Sequence, residues 1–309
     1  MRYYFAPMEG LTDAIFRRLH HKYFEGVDCY YTPFLSPTAN RIITNREARE
    51  IPPADTLDFC VVPQILTKNA QDFLWTAQKC ASLGYQEVNL NLGCPSGTVT
   101  AKGKGAGMLR DLDALACFLD EIFTYSRIDI SVKTRIGFES ASEFPKLLEI
   151  FNRYPIKELT IHPRVRSAFY AGSVDMQSFS YAMENAKMPL CYNGDLTCFA
   201  QIELLKKAYP QLRAVMIGRG LIRNPAMLTQ GDINAQTLQA FYDELLNEYI
   251  NAFGGARNAL FRMKEHWSLL IGNFENAHEY AKQLRKTTDL NQYKTISAHI
   301  FHECALKKD

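Results

Sequence analysis

In the run VNLNLGCPSG, residues 88–97, an alternating apolar stretch stops at a single cysteine held between Gly93 and Pro95. Val88, Leu90 and Leu92 share one face of such a strand and Asn89 and Asn91 the other, so Cys94 falls where the strand gives way to a loop. A thiol at the C-terminal end of a parallel strand can meet a substrate, and the proline after it stiffens the turn. A buried structural cysteine is the plainer reading of the same residue. Other strand-like runs also end in polar groups: APMEG (6–10), PQI (63–65), VKTRIG (132–137), HPR (162–164), NGD (193–195) and IGRG (217–220). Singly, Lys133 reads as a rim ion pair, His162 as a satisfied polar residue and Asn193-Gly194 as a turn. Converging on one rim, they make a pocket. The glycines of IGRG expose backbone N–H groups ahead of a short helix expected from about Leu221, which suits a phosphate.

The elements that must position these groups follow from periodicity. Eight apolar strand-like runs recur near residues 3–7, 27–32, 60–66, 86–92, 129–135, 157–162, 188–192 and 213–217. Helix-period segments lie between most of them, at 70–83, 112–123, 144–154 and 200–208, which is the alternation of a parallel sheet. Eight such units predict an α/β fold, a (β/α)8 TIM barrel, with an open doubly wound sheet as the alternative. The second unit is the weakest, because Pro37, Pro52 and Pro53 flank a short helix around 40–49.

Strand signals vanish beyond Leu228, and the polar stretch TQGDINAQ precedes helical patterns only. We therefore place a catalytic barrel domain at 1–233 and a C-terminal all-α helical bundle at 234–309. In that bundle Leu238, Phe241, Leu245, Tyr249 and Phe253 fall at helical spacing before Gly254-Gly255 stops the pattern. Lys282, Arg285, Lys286 and Lys294 cluster near Tyr280 and Tyr293, as a phosphate-binding and base-stacking face would, or as an ordinary solvated helix face would.

The chain has 309 residues, 47% hydrophobic and 22% charged, with a formal net charge of +2. That charge is too small to demand nucleic acid as a partner and leaves room for a local basic groove. The 8 cysteines include no Cys-x-x-Cys pair, which argues against a zinc ribbon or disulfide scaffold and favours reduced thiols in the cytoplasm. MRYYFAPMEG breaks before any signal-type apolar core, and no run reaches membrane-spanning length, so neither secretion nor membrane insertion is expected. AKGKGAG, 101–107, lacks the Lys-Ser/Thr ending of a nucleotide phosphate loop and reads as a flexible substrate loop. His299, His302 and Cys304 are too loose a group to imply a metal, and no metal is expected.

Together, APMEGLTD, NLNLGCPSG, GAGMLRD at 105–111, VKTRIG, HPRVR, NGD and MIGRG followed by Asn224-Pro225 resemble the bacterial-type tRNA-dihydrouridine synthases. These are FMN enzymes that reduce uridine in the tRNA D-loop. The resemblance covers nearly the whole chain. It implies that Pro7, Met8 and Glu9 border the flavin, that Gln64 and Lys133 contact its ring system, and that Asn193, Gly194, Asp195, Gly218 and Arg219 surround its phosphate. It implies Cys94 as the acid and His162 beside the flavin, facing the uracil or the tRNA backbone together with Arg164 and Arg166. Asn89 and Asn91 are expected on the substrate side, and Lys282, Arg285 and Lys286 on the tRNA. Pro163 and Arg223 stand where the family pattern commonly has glycine.

The implied chemistry suits these residue types. Hydride from flavin N5 reaches C6 of uracil, and C5 must then collect a proton from the opposite face. A thiol with an ordinary pKa near 8.5 stays mostly protonated at neutral pH yet gives up its proton readily. Lys133 supplies positive charge beside flavin N1 and C2=O. NADPH is the expected hydride donor, tRNA the partner and a monomer the expected state. A small-molecule flavin reductase of the dihydroorotate dehydrogenase type is disfavoured by the helical module. An RNA-binding protein that keeps the flavin fold without turnover is disfavoured by the presence of both Cys94 and Lys133.

Overall fold

The computed structural model describes residues 1–38, 40–229 and 234–307. The domain boundary expected near residue 233 lies outside the described residues. Nine parallel strands form one sheet: β1 (Arg2–Phe5), β2 (Cys29–Tyr31), β3 (Val61–Val62), β4 (Gln64–Ile65), β5 (Glu87–Leu92), β6 (Asp129–Arg135), β7 (Leu159–His162), β8 (Leu190–Tyr192) and β9 (Ala214–Ile217). Their order is β3-β2-β1-β9-β8-β7-β6-β5-β4. The two ends of that order, β3 and β4, are halves of the single run expected at 60–66. Pro63 divides them because it has no N–H to give to a ladder, although its carbonyl still accepts from Asn89 N at 2.8 Å. The eight expected strands therefore appear as nine, and the TIM barrel is nearly closed.

Helices Ala70–Ser82, Leu112–Tyr125 and Phe144–Phe151 follow the expected segments. Side chains start the first two: Asn69 accepts from Asp72 N and Asp111 from Ala114 N. In the second β/α repeat the helix Asn45–Glu50 is short and is started by a Thr44/Glu47 capping box.

The chain divides into two compact units. The first comprises Met1–Pro7, Asp28–Gly194 and Lys206–Met216. Register decides what faces the barrel interior. Asn91 pairs with Lys133, Lys133 with Thr160, Thr160 with Cys191 and Cys191 with Ala214, so these five share one face of the sheet. Cys191 and Ala214 belong to a buried cluster with Tyr4, Tyr31, Val62 and Met216, drawn from strands all around the sheet. The shared face is therefore the interior, and the apolar alternates Val88, Leu90 and Leu92 point outward and are buried there.

One expectation is corrected here. Cys29 and Cys60 form a disulfide. The β2–β3 register pairs Tyr30 with Val61, which sets the residues just before them side by side with Cα atoms 4.6 Å apart, an ordinary neighbour spacing in a sheet. Sequence spacing alone could not reveal that pairing.

The second unit comprises Met8–Val27, Asp195–Leu205 and the described part of Ile217–Asp309. Its longer helices are Ala14–Tyr23, Ala235–Phe253, Ala256–Leu270, His278–Lys286 and Leu290–Glu303. The helical stripe Leu238, Phe241, Leu245 and Tyr249 is buried, and Phe16 stacks on His266 with ring centroids 5.0 Å apart. Gly254, in the left-handed region at φ 69°, ends the Ala235–Phe253 helix where the sequence predicts a stop. Among the described residues no helix is long and apolar enough to cross a membrane.

Candidate active site

The C-terminal ends of β4 to β8 carry a continuous set of polar side chains in the first unit. Gln64 is buried, with its amide held at both ends: Nε2 donates to Asn89 Oδ1 at 2.8 Å, and Oε1 accepts from Asn91 Nδ2 at 2.7 Å. Asn89 Nδ2 donates in turn to Ser131 Oγ at 2.9 Å. These contacts fix the amide orientation and leave one N–H and one lone pair of Gln64 without a partner among the described residues. Asn89 is fully buried within this network, and Asn91 nearly so.

Asn91 also shapes the thiol loop. Its Oδ1 accepts from Gly93 N at 3.1 Å and Cys94 N at 2.9 Å, so the β5 strand end dictates where Cys94 stands. Ala106 N donates to Cys94 O at 3.1 Å, which brings the Gly105–Arg110 turn against the cysteine. A Cβ at Gly105 would lie 3.0 Å from both Cβ and O of Cys94, and Gly105 has φ 56°. Within the segment read as a flexible loop, Gly105 allows this close approach to Cys94. Cys94 itself is partly exposed.

Lys133 is half-buried on the interior face, and its ammonium has no hydrogen-bond or ion-pair partner among the described residues. Burial first, and the Arg135 charge second, push it down to about 8. Arg135 was not singled out from the sequence, although it stands two residues beyond Lys133 and therefore on the same face. It is buried, donating from Nε to Gly93 O and from Nη1 to Val165 O, both at 2.9 Å, and it joins the thiol loop to the loop after β7.

His162 pairs in register with Arg135 and is buried. Its Nε2 lies 3.2 Å from Arg164 Nη1, and its ring stacks on Tyr170 at 6.2 Å. Arg164, expected beside the uracil or the tRNA backbone, is buried too, and its Nη2 donates to Gly172 O. Its guanidinium orients the imidazole. Arg166 is half-buried and donates to Thr100 Oγ1 at 3.1 Å. Asn193 donates from Nδ2 to Met216 O at 2.7 Å, and Gly194 is buried beside it.

The second unit holds Met8, Glu9, Asp195, Gly218 and Arg219, whereas Pro7 belongs to the first. Met8 O accepts from Leu11 N and Thr12 N, both at 3.0 Å, closing a turn in which Gly10 has φ 80°. That positive φ favours glycine, and a Cβ there would sit 2.5 Å from Arg262 Nη1, the movable end of a side chain. Arg219 opens the short helix Arg219–Arg223 and pairs with Asp195 Oδ1 at 3.0 Å, both groups being exposed. Arg223, a departure from the family pattern, donates from Nε to Asn273 Oδ1 at 3.0 Å, and Asn273 Nδ2 donates back to its carbonyl. The substitution thus ties the segment after β9 to the Ile271–Asn273 turn.

On the C-terminal helices Lys282, Arg285, Lys286 and Lys294 are exposed, with Lys282 held by Glu279 at 2.8 Å. The aromatic part of that expected face is corrected. Tyr293 is buried, and its hydroxyl accepts from Trp267 Nε1 at 2.6 Å, because the helical period turns it toward the bundle core. Tyr280 donates to Glu303 Oε2 at 2.6 Å.

Comparison with known proteins is concordant over the chain. The family model described as "Dihydrouridine synthase (Dus)" matches residues 4–307. A "Probable tRNA-dihydrouridine synthase" of Rickettsia bellii is 30% identical over 232 residues, 74% of this chain and 69% of the relative. A "tRNA-dihydrouridine(16) synthase" of Shigella flexneri is 29% identical over 237 residues, 73% of each. Among solved structures, a variant of NCR from Zymomonas mobilis shares the fold, with TM-score 0.51 and 12% identity, over 79% of this chain and 86% of that one.

Proposed function

The chain belongs to the dihydrouridine synthase family, and from that premise we propose that it reduces uridine in the D-loop of tRNA to 5,6-dihydrouridine, as a cytoplasmic monomer using FMN and NADPH. The observation that carries this reading is a partly exposed thiol two residues past the end of β5 that interacts electrostatically with a half-buried ammonium on the neighbouring strand β6, the ammonium having no hydrogen-bond or ion-pair partner among the described residues. An ammonium so placed fits a ligand with an electron-rich ring edge, and the one free N–H and lone pair of the locked Gln64 amide fit the edge of a flavin. Lys133 and Gln64 would hold the ring system, with Pro7, Met8, Glu9 and His162 at its border. The NGD and IGRG segments, Asn193, Gly194, Asp195, Gly218 and Arg219, would hold its phosphate.

FMN, when bound, supplies the hydride delivered to C6 of the uracil. Cys94 gives its thiol proton to C5, and Asn91 holds the Cys94 backbone so that the proton arrives at one face. His162, fixed by Arg164, orients the base. Asn89, expected on the substrate side, keeps Gln64 aligned. Arg166, Lys282, Arg285 and Lys286 would meet the tRNA backbone.

Because Lys133 loses its charge near pH 8 in the free protein, a ligand that favours the ammonium binds best below that pH and more weakly as pH rises through it. The FMN dissociation constant is expected to rise about tenfold between pH 7 and pH 9, since tenfold follows one pH unit beyond the free pKa. Titration of FMN fluorescence across that range checks this. Lys133→Met should bind more weakly at pH 7 and flatten the dependence, and an equal slope in the variant would remove Lys133 from the flavin site.

The whole reading is tested by NADPH oxidation with and without unmodified tRNA. Turnover that depends on the tRNA, with dihydrouridine appearing in it, is expected. Oxidation coupled only to a small pyrimidine would indicate a small-molecule reductase, and binding of tRNA without oxidation would indicate an RNA-binding protein.

A further inference from the structure

We propose that Arg110, Arg166 and Phe169, gathered around the buried Phe138 ring, form a contact surface for unpaired RNA flanking the target uridine, with Phe169 stacking on a base and the two arginines meeting backbone phosphates. This rests on the proposed reduction of tRNA and names how the nucleotides beside the reacting one are gripped.

The observations are local to the first unit. The Arg110 guanidinium lies 4.0 Å from the Phe138 ring centroid, and that of Arg166 lies 5.2 Å from the same ring and 5.0 Å from Phe169. Two like charges share one buried ring, and neither has a carboxylate partner among the described residues. Arg166 Nε is buried with no hydrogen-bond partner among the described residues. Such an arrangement repels itself until an anion arrives between or beside the guanidiniums.

Phe169 supplies a further signal in its backbone and exposure. It is 43% exposed and has φ 49°, a backbone region an aromatic residue rarely occupies. An apolar ring held in water in a strained turn is not there to fill a core, and strain of this kind collects at ligand clamps. Flat ring and paired guanidiniums together suit a chain of bases and phosphates.

The location also fits. Arg166 Nη2 donates to Thr100 Oγ1, and Arg110 closes the Gly105–Arg110 turn that packs on Cys94, so the surface borders the loop bearing the proton donor. A uridine drawn from its stack toward Cys94 brings its neighbours past this rim.

The test compares Phe169→Ala, Phe169→Trp and the exposed-site variant Arg110→Glu with the parent, using unmodified tRNA. KM for tRNA should rise about tenfold in Phe169→Ala and Arg110→Glu, while FMN content and the rate of reduction by NADPH stay unchanged. Phe169→Trp should restore KM, because any flat ring can stack. Tenfold corresponds to about 1.4 kcal/mol, within the range of one base–aromatic stack. If the parent reduces tRNA and both disruptive variants keep its KM and its salt dependence of binding, this surface is overturned alone. If the parent leaves tRNA unreduced, the proposed function falls and this surface with it.

Discussion

Cys94→Ala is expected to retain FMN and its reduction by NADPH, and to lose dihydrouridine formation by about 10²-fold or more, the range for removal of a positioned general acid. The proposed proton donor can be removed without disturbing the loop that carries it. What holds Cys94 is its backbone: its N–H donates to Asn91 Oδ1 and its carbonyl accepts from Ala106 N, and both contacts survive truncation of the side chain. The Gly105 close approach is made to Cβ and O, which alanine keeps. Only the proton is lost. Cys94→Ser should recover little, because a hydroxyl gives up its proton far less readily than a thiol. Single-turnover formation of dihydrouridine from pre-reduced enzyme is the measurement, and a rate in Cys94→Ala equal to the parent would return the cysteine to a packing role.

The second large effect concerns the C-terminal helices. Reversing Lys282, Arg285 and Lys286 to glutamate is expected to weaken tRNA binding by about 10²-fold near 0.1 M salt and to flatten the log–log salt dependence by about 2 to 3, one phosphate contact per residue. All three side chains are exposed, and the last two end the His278–Lys286 helix. Glutamate at a helix C-terminus costs about 0.3–1 kcal/mol in helix stability, so the matching glutamine variants are needed alongside. Glutamine at all three positions should show an intermediate loss with an unchanged melting temperature. Parent-like binding and salt slope in both sets would identify these charges as a solvated face.

Much of the barrel is legible because strand and helix periods are local properties. The runs at 86–92, 129–135 and 213–217 become strands almost residue for residue. The third run could not be read as two pieces, since only the ladder reveals what the missing N–H of Pro63 interrupts. The same holds for Cys29 and Cys60: they are 31 residues apart in sequence, and strand register alone makes them neighbours. Tyr293 looks like a stacking platform by its company in the sequence, yet the helical period turns it toward Trp267.

By itself, the sequence determined the element types, the strand ends at which Cys94, Lys133 and His162 stand, and the family, because each depends on short-range pattern. Only the tertiary structure decided which polar groups are committed and which are left for a ligand. Asn89, Asn91 and Arg135 are bound to neighbours from other strands and loops and Arg164 to His162 beside it, while Lys133 is without a hydrogen-bond or ion-pair partner among the described residues. Hydrogen-bond satisfaction is a property of three-dimensional neighbours, and burial makes leaving such a group unpaired costly unless a substrate or cofactor completes it.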